Sequence, residues 1–138
     1  MLRPFFKPKG VAVIGASRNP HKLGYGVVRN LKDYRYQGGI YPVNKSATEI
    51  VELPCHESVA DVPDPVDLAV IIVPASVVPK IIKQCGQRGI NHAIVISGGF
   101  SETGEEGQKL EDELKRVASE WDVNFIGPNC IGTIDTHT

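Results

Sequence analysis

The sequence predicts an α/β fold in which helices cover both faces of a mainly parallel sheet of about five strands. Five short runs rich in valine and isoleucine recur along the chain, segments with helical spacing lie between them, and a glycine-containing turn follows the first run. Nearly continuous apolar runs are typical of parallel strands buried on both faces, whereas half-exposed strands alternate apolar and polar residues. A three-layer α/β/α arrangement is therefore expected.

The apolar runs place the strands, and the periodic segments place the helices. Strands are predicted, in chain order, at residues 11–14, 40–43, 68–73, 93–96 and 123–126. Apolar residues with helical spacing predict helices over residues 26–36, 77–88 and 107–120. The proline-rich connection 45–67 is expected to hold a short helical turn and a minor strand near 51–53. Right-handed crossovers would join these units into a doubly wound sheet.

Length and composition fit one compact domain spanning residues 1–138. The chain is 41% hydrophobic and 22% charged, and its formal net charge of -1 creates no global field that would attract nucleic acid or an anionic membrane. The three cysteines form no C-x-x-C pair, and no apolar run approaches the ~20 residues of a membrane span. We therefore expect a cytoplasmic protein without nucleic-acid, membrane or metal partners.

The turn after the first strand has the composition of a phosphate-binding site. Gly15, Ala16 and Ser17 follow the strand, and Gly24 lies near the start of the next helix. Small residues let the backbone approach a phosphate closely, and the N–H groups at a helix start supply positive character. With the order of the elements, this turn predicts a Rossmann-like nucleotide-binding domain.

The details of the turn distinguish among nucleotides only in part. The spacing G-x-G-x-x-G is not met, because the segment 18–23 separates Gly15 from Gly24 and adds Lys22 and other polar residues beside the site. The second strand ends in Asn44 and Lys45, where NAD-binding proteins place an acid. Lys45 could pair equally well with the ribose 3′-phosphate of coenzyme A or the 2′-phosphate of NADP, or could simply be solvated. The residues alone leave coenzyme A and NADP open.

An ordered set of motifs covers nearly the whole chain. They are VAVIGAS at 11–17, YPVN at 41–44, DPVDLAVIIVPA at 64–75, ISGGF at 96–100, GEEG at 104–107 and GPNCIG at 127–132. With these motifs the chain resembles the CoA-binding domain of ADP-forming acetyl-CoA synthetases, which is related to the alpha subunit of succinyl-CoA synthetase. The resemblance implies that coenzyme A lies across the carboxyl ends of the strands.

The resemblance also implies roles for individual residues. Pyrophosphate would lie at the turn formed by Gly15, Ala16 and Ser17 near Gly24, with charge from Lys22 and Lys45 and a polar edge from Asn44. The walls of the site, and the residue closing it near the thiol end, would be Val73, Pro74, Ala75, Ser97, Gly98, Gly99, Phe100 and Asn129. Helix capping at Pro74 and a tight turn at Gly98-Gly99 remain alternative explanations for those residues.

The resemblance implies a parent enzyme that converts acyl-CoA, ADP and phosphate into acid, ATP and CoA through a phosphohistidine in a following domain. The four histidines, His21, His56, His92 and His137, match no such motif and are expected to be ordinary surface residues, and Cys130 is not expected to be catalytic. We expect a chain that binds coenzyme A without turnover and works with remaining domains or an ATP-grasp subunit. A stand-alone CoA-sensing module and an NADP-binding domain are the alternatives.

Overall fold

A computed structural model of the protein describes residues 2–130 together with Gly132 and Thr136. Within this part of the chain, five parallel strands form the central sheet, in the order β2-β1-β5-β6-β7. They are β1 (Gly10–Ile14), β2 (Gly39–Val43), β5 (Leu68–Ile71), β6 (His92–Val95) and β7 (Asn124–Ile126). The predicted Rossmann-like α/β fold with a parallel sheet of five strands is confirmed.

Helices lie on both faces of this sheet, as the buried runs predict. They are α1 (Arg3–Phe6), α2 (Leu23–Asp33), α3 (Val78–Arg88) and α4 (Glu105–Glu120). Successive residues of β1 serve opposite layers: Val11 and Val13 belong to the cluster that contains Val28 of α2, whereas Ala12 and Ile14 belong to the cluster that contains residues of α3 and α4. Each strand thus contributes to two cores, and this explains why its sequence is apolar throughout.

The third predicted strand ends two residues earlier than expected. Prediction placed it over 68–73, but β5 ends at Ile71. The backbone N–H of Val73 donates to the hydroxyl of Ser97 at 3.1 Å instead of to a neighbouring strand. A side-chain acceptor therefore ends the ladder where the apolar pattern continues.

The first long helix starts earlier than predicted, at Leu23 instead of residue 26, and ends at Asp33. Two local hydrogen bonds explain the early start. Ser17 Oγ accepts from the N–H of Asn19 at 3.0 Å, and Asn19 Oδ1 accepts from the N–H of His21 at 3.0 Å. Such side-chain turns fold segment 18–22 back on itself. As a result Gly24 lies inside the first turn of α2.

The long connection after β2 contains a hairpin instead of the predicted single minor strand. Strands β3 (Glu49–Ile50) and β4 (Leu53–Pro54) are antiparallel and are joined by Val51 and Glu52, both at positive φ. Lys32 of α2 donates to the carbonyl oxygen of Val51 at 2.9 Å. The expected helical turn occurs as a 3₁₀ turn over Val59–Asp61. No helix among the described residues has both the length and the apolar character needed to cross a bilayer.

We expect Leu114→Ala to lower the free energy of unfolding by about 2–5 kcal/mol, because it removes a buried side chain and leaves a cavity. Leu114 of α4 is fully buried in the cluster beneath α3 and α4. Urea denaturation measures the loss. The neighbouring Glu113→Ala is the control and should change stability by less than about 0.5 kcal/mol, since Glu113 is exposed. Equal effects of the two substitutions would contradict the packing described here.

Candidate functional site

A cleft of about 420 Å³ opens at the carboxyl ends of β1, β2 and β5. In the strand order, β1 lies between β2 and β5, so the chain leaves β1 in one direction for β2 and later returns on its other side. Open α/β sheets bind ligands at such a switch point. The lining residues are Ile14, Gly15, Val43, Asn44, Lys45, Glu57, Ser58, Val59, Val73, Pro74, Val77, Lys80, Ile81 and Gln84.

Two glycines set the shape of the turn after β1. Gly15 has a φ of 97°, and a Cβ at this position would overlap the carbonyl oxygen of Ile72, which follows β5. A Cβ at Gly24 would in turn overlap the carbonyl oxygen of Gly15. The start of α2 therefore packs directly against the turn, and only glycine permits both contacts.

The same turn presents hydrogen-bond donors. Within the described residues, the backbone N–H groups of Ala16 and Ser17 have no hydrogen-bond partner. The Ser17 hydroxyl accepts one bond, from the N–H of Asn19, and its own hydrogen remains able to donate. Lys22 occupies the residue before α2 and is exposed. This arrangement can bind an anion between the turn and the helix start.

Asn44 lines the cleft, where it was predicted to be a polar edge for the ligand, and it also holds the loops after β1 and β2 together. Its Nδ2 donates to the carbonyl oxygen of Ala16 at 2.9 Å, and its Oδ1 accepts from the N–H groups of Ser46 at 2.9 Å and Ala47 at 3.0 Å. These bonds engage both ends of the side-chain amide. The adjacent Lys45 is exposed at the cleft and is the residue of this pair that can meet a ligand.

The apolar wall predicted at residues 73–75 is partly in the cleft. Val73 and Pro74 line it, whereas Ala75 is half-buried and begins the 3₁₀ turn Ala75–Val77 that leads into α3. The position of a Cβ at Gly99 would be 3.2 Å from the Cβ of Ala75. Ala75 therefore connects the cleft with the loop after β6.

The remaining predicted residues lie beside the cleft, at the carboxyl ends of β6 and β7. Ser97 is buried, its hydroxyl accepting from the N–H of Val73 and lying 3.5 Å from the carbonyl oxygen of Ile71. The N–H of Asn129 donates to the carbonyl oxygen of Ser97 at 2.9 Å. The loop containing Gly98 and Gly99 thus lies next to Asn129, but it is not part of the 420 Å³ cleft.

Phe100 does not form a wall of the site. Its side chain is fully buried in the core beneath α3 and α4, where the apolar ring is removed from water. The carboxylate of Glu102 accepts hydrogen bonds from the N–H groups of Gly99 and Phe100. Hydrogen bonds from its own backbone N–H and from those of Gly99 and Phe100 lower the pKa of this carboxyl group.

The cysteine and histidine side chains described next pack against other parts of the fold. Burial raises the pKa of Cys85 to about 12, and Cys130 is half-buried, with Sγ 3.3 Å from the carbonyl oxygen of Val95. The prediction of surface histidines is wrong for His56 and His92, whose half-buried rings pack edge-on against Tyr41 and Phe5. His137, and Ile131 of the last motif, lie outside the described residues.

Sequence reasoning missed nine of the fourteen residues that line the cleft, and Ile14 and Val43, at the ends of β1 and β2, are two of them. Residues Val77, Lys80, Ile81 and Gln84 enter it from α3 and the turn before it, and Glu57, Ser58 and Val59 enter it from the long connection. The α3 residues recur at intervals of three and four, so they share one helix face. That spacing was visible in the sequence, but only the fold shows that this face borders the cleft.

Comparison with known proteins identifies the family of this chain. A family model described as CoA binding domain matches residues 9–136. The alpha subunit of ADP-forming acetate–CoA ligase II from Pyrococcus furiosus is 47% identical over 138 residues, covering 99% of this chain and 30% of that subunit. This chain therefore spans less than a third of that relative.

Solved structures give the same result. A Pyrococcus horikoshii protein of known crystal structure superposes with a TM-score of 0.92 at 48% identity, covering 99% of this chain and 31% of that one. The dinucleotide-forming acetyl-coenzyme A synthetase 1 of Candidatus Korarchaeum cryptofilum, in its apo form, gives a TM-score of 0.90 at 43% identity, covering 96% and 28%.

We expect Asn44→Ala to lower the free energy of unfolding by about 1–3 kcal/mol, because it leaves the carbonyl of Ala16 and two N–H groups without their partner. Urea denaturation measures the loss, and faster amide hydrogen exchange at Ser46 and Ala47 locates it. Asn30→Ala, on the exposed side of α2, is the matched control and should have little effect. Unchanged exchange at both amides would show that Asn44 does not hold this loop.

Proposed function

Since this chain belongs to the CoA binding domain family, we propose that it is the domain that holds coenzyme A in an ADP-forming acyl-CoA synthetase. One observation carries the proposal. The family match runs over residues 9–136, so every residue that lines the cleft at the switch point of the sheet lies inside it. The cleft lies where open α/β sheets bind ligands, and this supports assigning the cofactor of the family to it.

The turn at Gly15, Ala16 and Ser17 holds the pyrophosphate in this proposal. The free N–H groups of Ala16 and Ser17, the Ser17 hydroxyl and the start of α2 all supply positive character to one anion. Lys22 lies at that helix start and adds a full charge. Gly24 acts indirectly, by letting α2 approach the turn.

The adenosine occupies the cleft. Val43, Val59, Val73 and Ile81 give it apolar walls suited to the faces of adenine, and Lys45 lies at its edge, where the ribose 3′-phosphate can pair with it. The pantetheine arm then passes Pro74 and Ala75 toward the loops after β6 and β7. Gly98, Gly99 and Asn129 flank it there, and Ser97 and Asn44 act by holding these loops in place.

The activity of the whole protein follows as a proposal from its relatives. An ADP-forming ligase couples acyl-CoA, ADP and phosphate to acid, ATP and CoA, and this domain contributes the CoA end of that reaction. We propose that residues 1–138 form one domain, the N-terminal part of a longer synthetase, and that remaining domains or an ATP-grasp subunit supply the phosphoryl chemistry. The 30% share of the Pyrococcus furiosus subunit that the chain spans supports this division. The three unpaired cysteines support the proposed cytoplasmic location.

We expect isothermal titration calorimetry to give the tightest binding for coenzyme A, weaker binding for 3′-dephospho-CoA, and weaker binding still for NAD and NADP. The basic edge of the cleft favours coenzyme A over 3′-dephospho-CoA, which lacks the ribose phosphate, and the family match favours coenzyme A over NAD and NADP. Tighter binding of NADP than of coenzyme A would overturn the proposed function.

We expect Lys45→Ala to weaken the binding of coenzyme A by about tenfold and the binding of 3′-dephospho-CoA much less. The reason is that only coenzyme A carries the phosphate that the lysine would pair with. Titration of both ligands against the variant measures the difference. Lys109→Ala is the control, since Lys109 lies on α4 in an exposed ion pair with Glu106. Equal losses for the two ligands would show that Lys45 does not contact the 3′-phosphate.

A further inference from the structure

A second lysine, Lys80, lines the cleft on a different element from Lys45. It lies in the first turn of α3, and Val77, Ile81 and Gln84 accompany it along the same side of the helix. Lys45 comes from the loop after β2, so the two lysines belong to different walls of one cavity. Neither the strand-end pattern nor the glycine turn in the sequence points to Lys80.

The charge of Lys80 is available to a ligand. Among the residues that the structure describes, no ion pair joins Lys80 or Lys45 to a carboxylate, and both side chains are exposed. By contrast, Lys32, Lys109 and Lys115 each pair with a glutamate. The neighbouring Lys83 lies over the ring of Trp121, 5.5 Å from its centre, and is not part of the cleft.

The negative charge of a ribose phosphate exceeds what one lysine can neutralise. A phosphate monoester carries about −1.5 to −2 charges at pH 7, which one lysine does not neutralise. The cleft also contains the carboxylate of Glu57, which offsets part of the positive charge of any lysine near it. One lysine, partly offset by Glu57, leaves most of the negative charge of the phosphate unneutralised. Two lysines from different elements neutralise more of it.

We propose that Lys80 is a second phosphate-binding residue, which together with Lys45 clasps the ribose 3′-phosphate of coenzyme A and sets the preference for coenzyme A over its dephosphorylated form. This inference rests on the proposed function of the cleft. In this proposal, Val77 in the turn before α3 and Ile81 of α3 lie against the adenosine. The same side of this segment then supplies both apolar contact and the charge of Lys80.

Calorimetric titration of Lys80→Ala with coenzyme A and with 3′-dephospho-CoA tests the proposal. We expect the affinity for coenzyme A to fall by about tenfold and the affinity for 3′-dephospho-CoA to change by less than about twofold, because only coenzyme A has the 3′-phosphate. Lys83→Ala removes the same charge from the same helix outside the cleft and should leave both affinities unchanged. Combining Lys45→Ala with Lys80→Ala should bring coenzyme A down to the affinity of dephospho-CoA.

The outcomes separate this inference from the proposed function. If the unsubstituted protein binds coenzyme A but Lys80→Ala weakens both ligands equally, or weakens neither, the role of Lys80 is overturned while the function stands. An equal loss from Lys83→Ala would also overturn it, since the effect would then be one of overall charge. If the unsubstituted protein does not bind coenzyme A, the proposed function itself fails. If Lys80→Arg keeps the preference for coenzyme A over 3′-dephospho-CoA that Lys80→Ala loses, the result supports a contact between the positive charge at this position and the 3′-phosphate.

Discussion

The absence of a side chain at Gly15 is the constraint on which the site depends. At this point the end of β1, the residue after β5 and the first turn of α2 approach so closely that a Cβ would overlap the carbonyl oxygen of Ile72. Gly24 continues the same contact from the helix side. Because three backbone segments meet without side chains between them, the start of α2 lies directly against the turn that carries the free N–H groups.

The polar side chains around the cleft divide into two groups with different tasks. Asn44 and Ser97 use their hydrogen-bonding atoms on backbone groups of neighbouring loops, the first between the ends of β1 and β2, the second between the ends of β5 and β6. Lys45 and Lys80 form no ion pairs within the described part of the chain. The first group keeps the loops in position and the second group stays available for a charged ligand, so rigidity and recognition are supplied by different residues.

Local charge, and not net charge, gives the site its character. The whole chain has a formal net charge of -1 and the sheet is apolar on both faces, yet Lys45 and Lys80 both line one cavity at the carboxyl edge of the sheet. Glu57 is the acidic residue among those that line this cavity. A site of this kind selects for a ligand with several phosphate groups without drawing polyanions to the rest of the surface.

The sequence by itself determined the fold class, because strands buried on both faces must be apolar throughout and helices must show their period; the five strands and three long helices follow from these patterns. It also marked Gly15 and Lys45 as candidate site residues, since they follow predicted strands, and the family resemblance added Val73 at the end of a third predicted strand; all three line the cleft. Tertiary structure alone decided the rest. Lys80 and Glu57 are brought into the cleft by packing of distant segments, Phe100 is taken into the core, Ser97 holds a loop beside the cleft, and Asn44 both lines the cleft and holds a loop. These outcomes depend on which elements become neighbours in space, and no local pattern of residues contains that information.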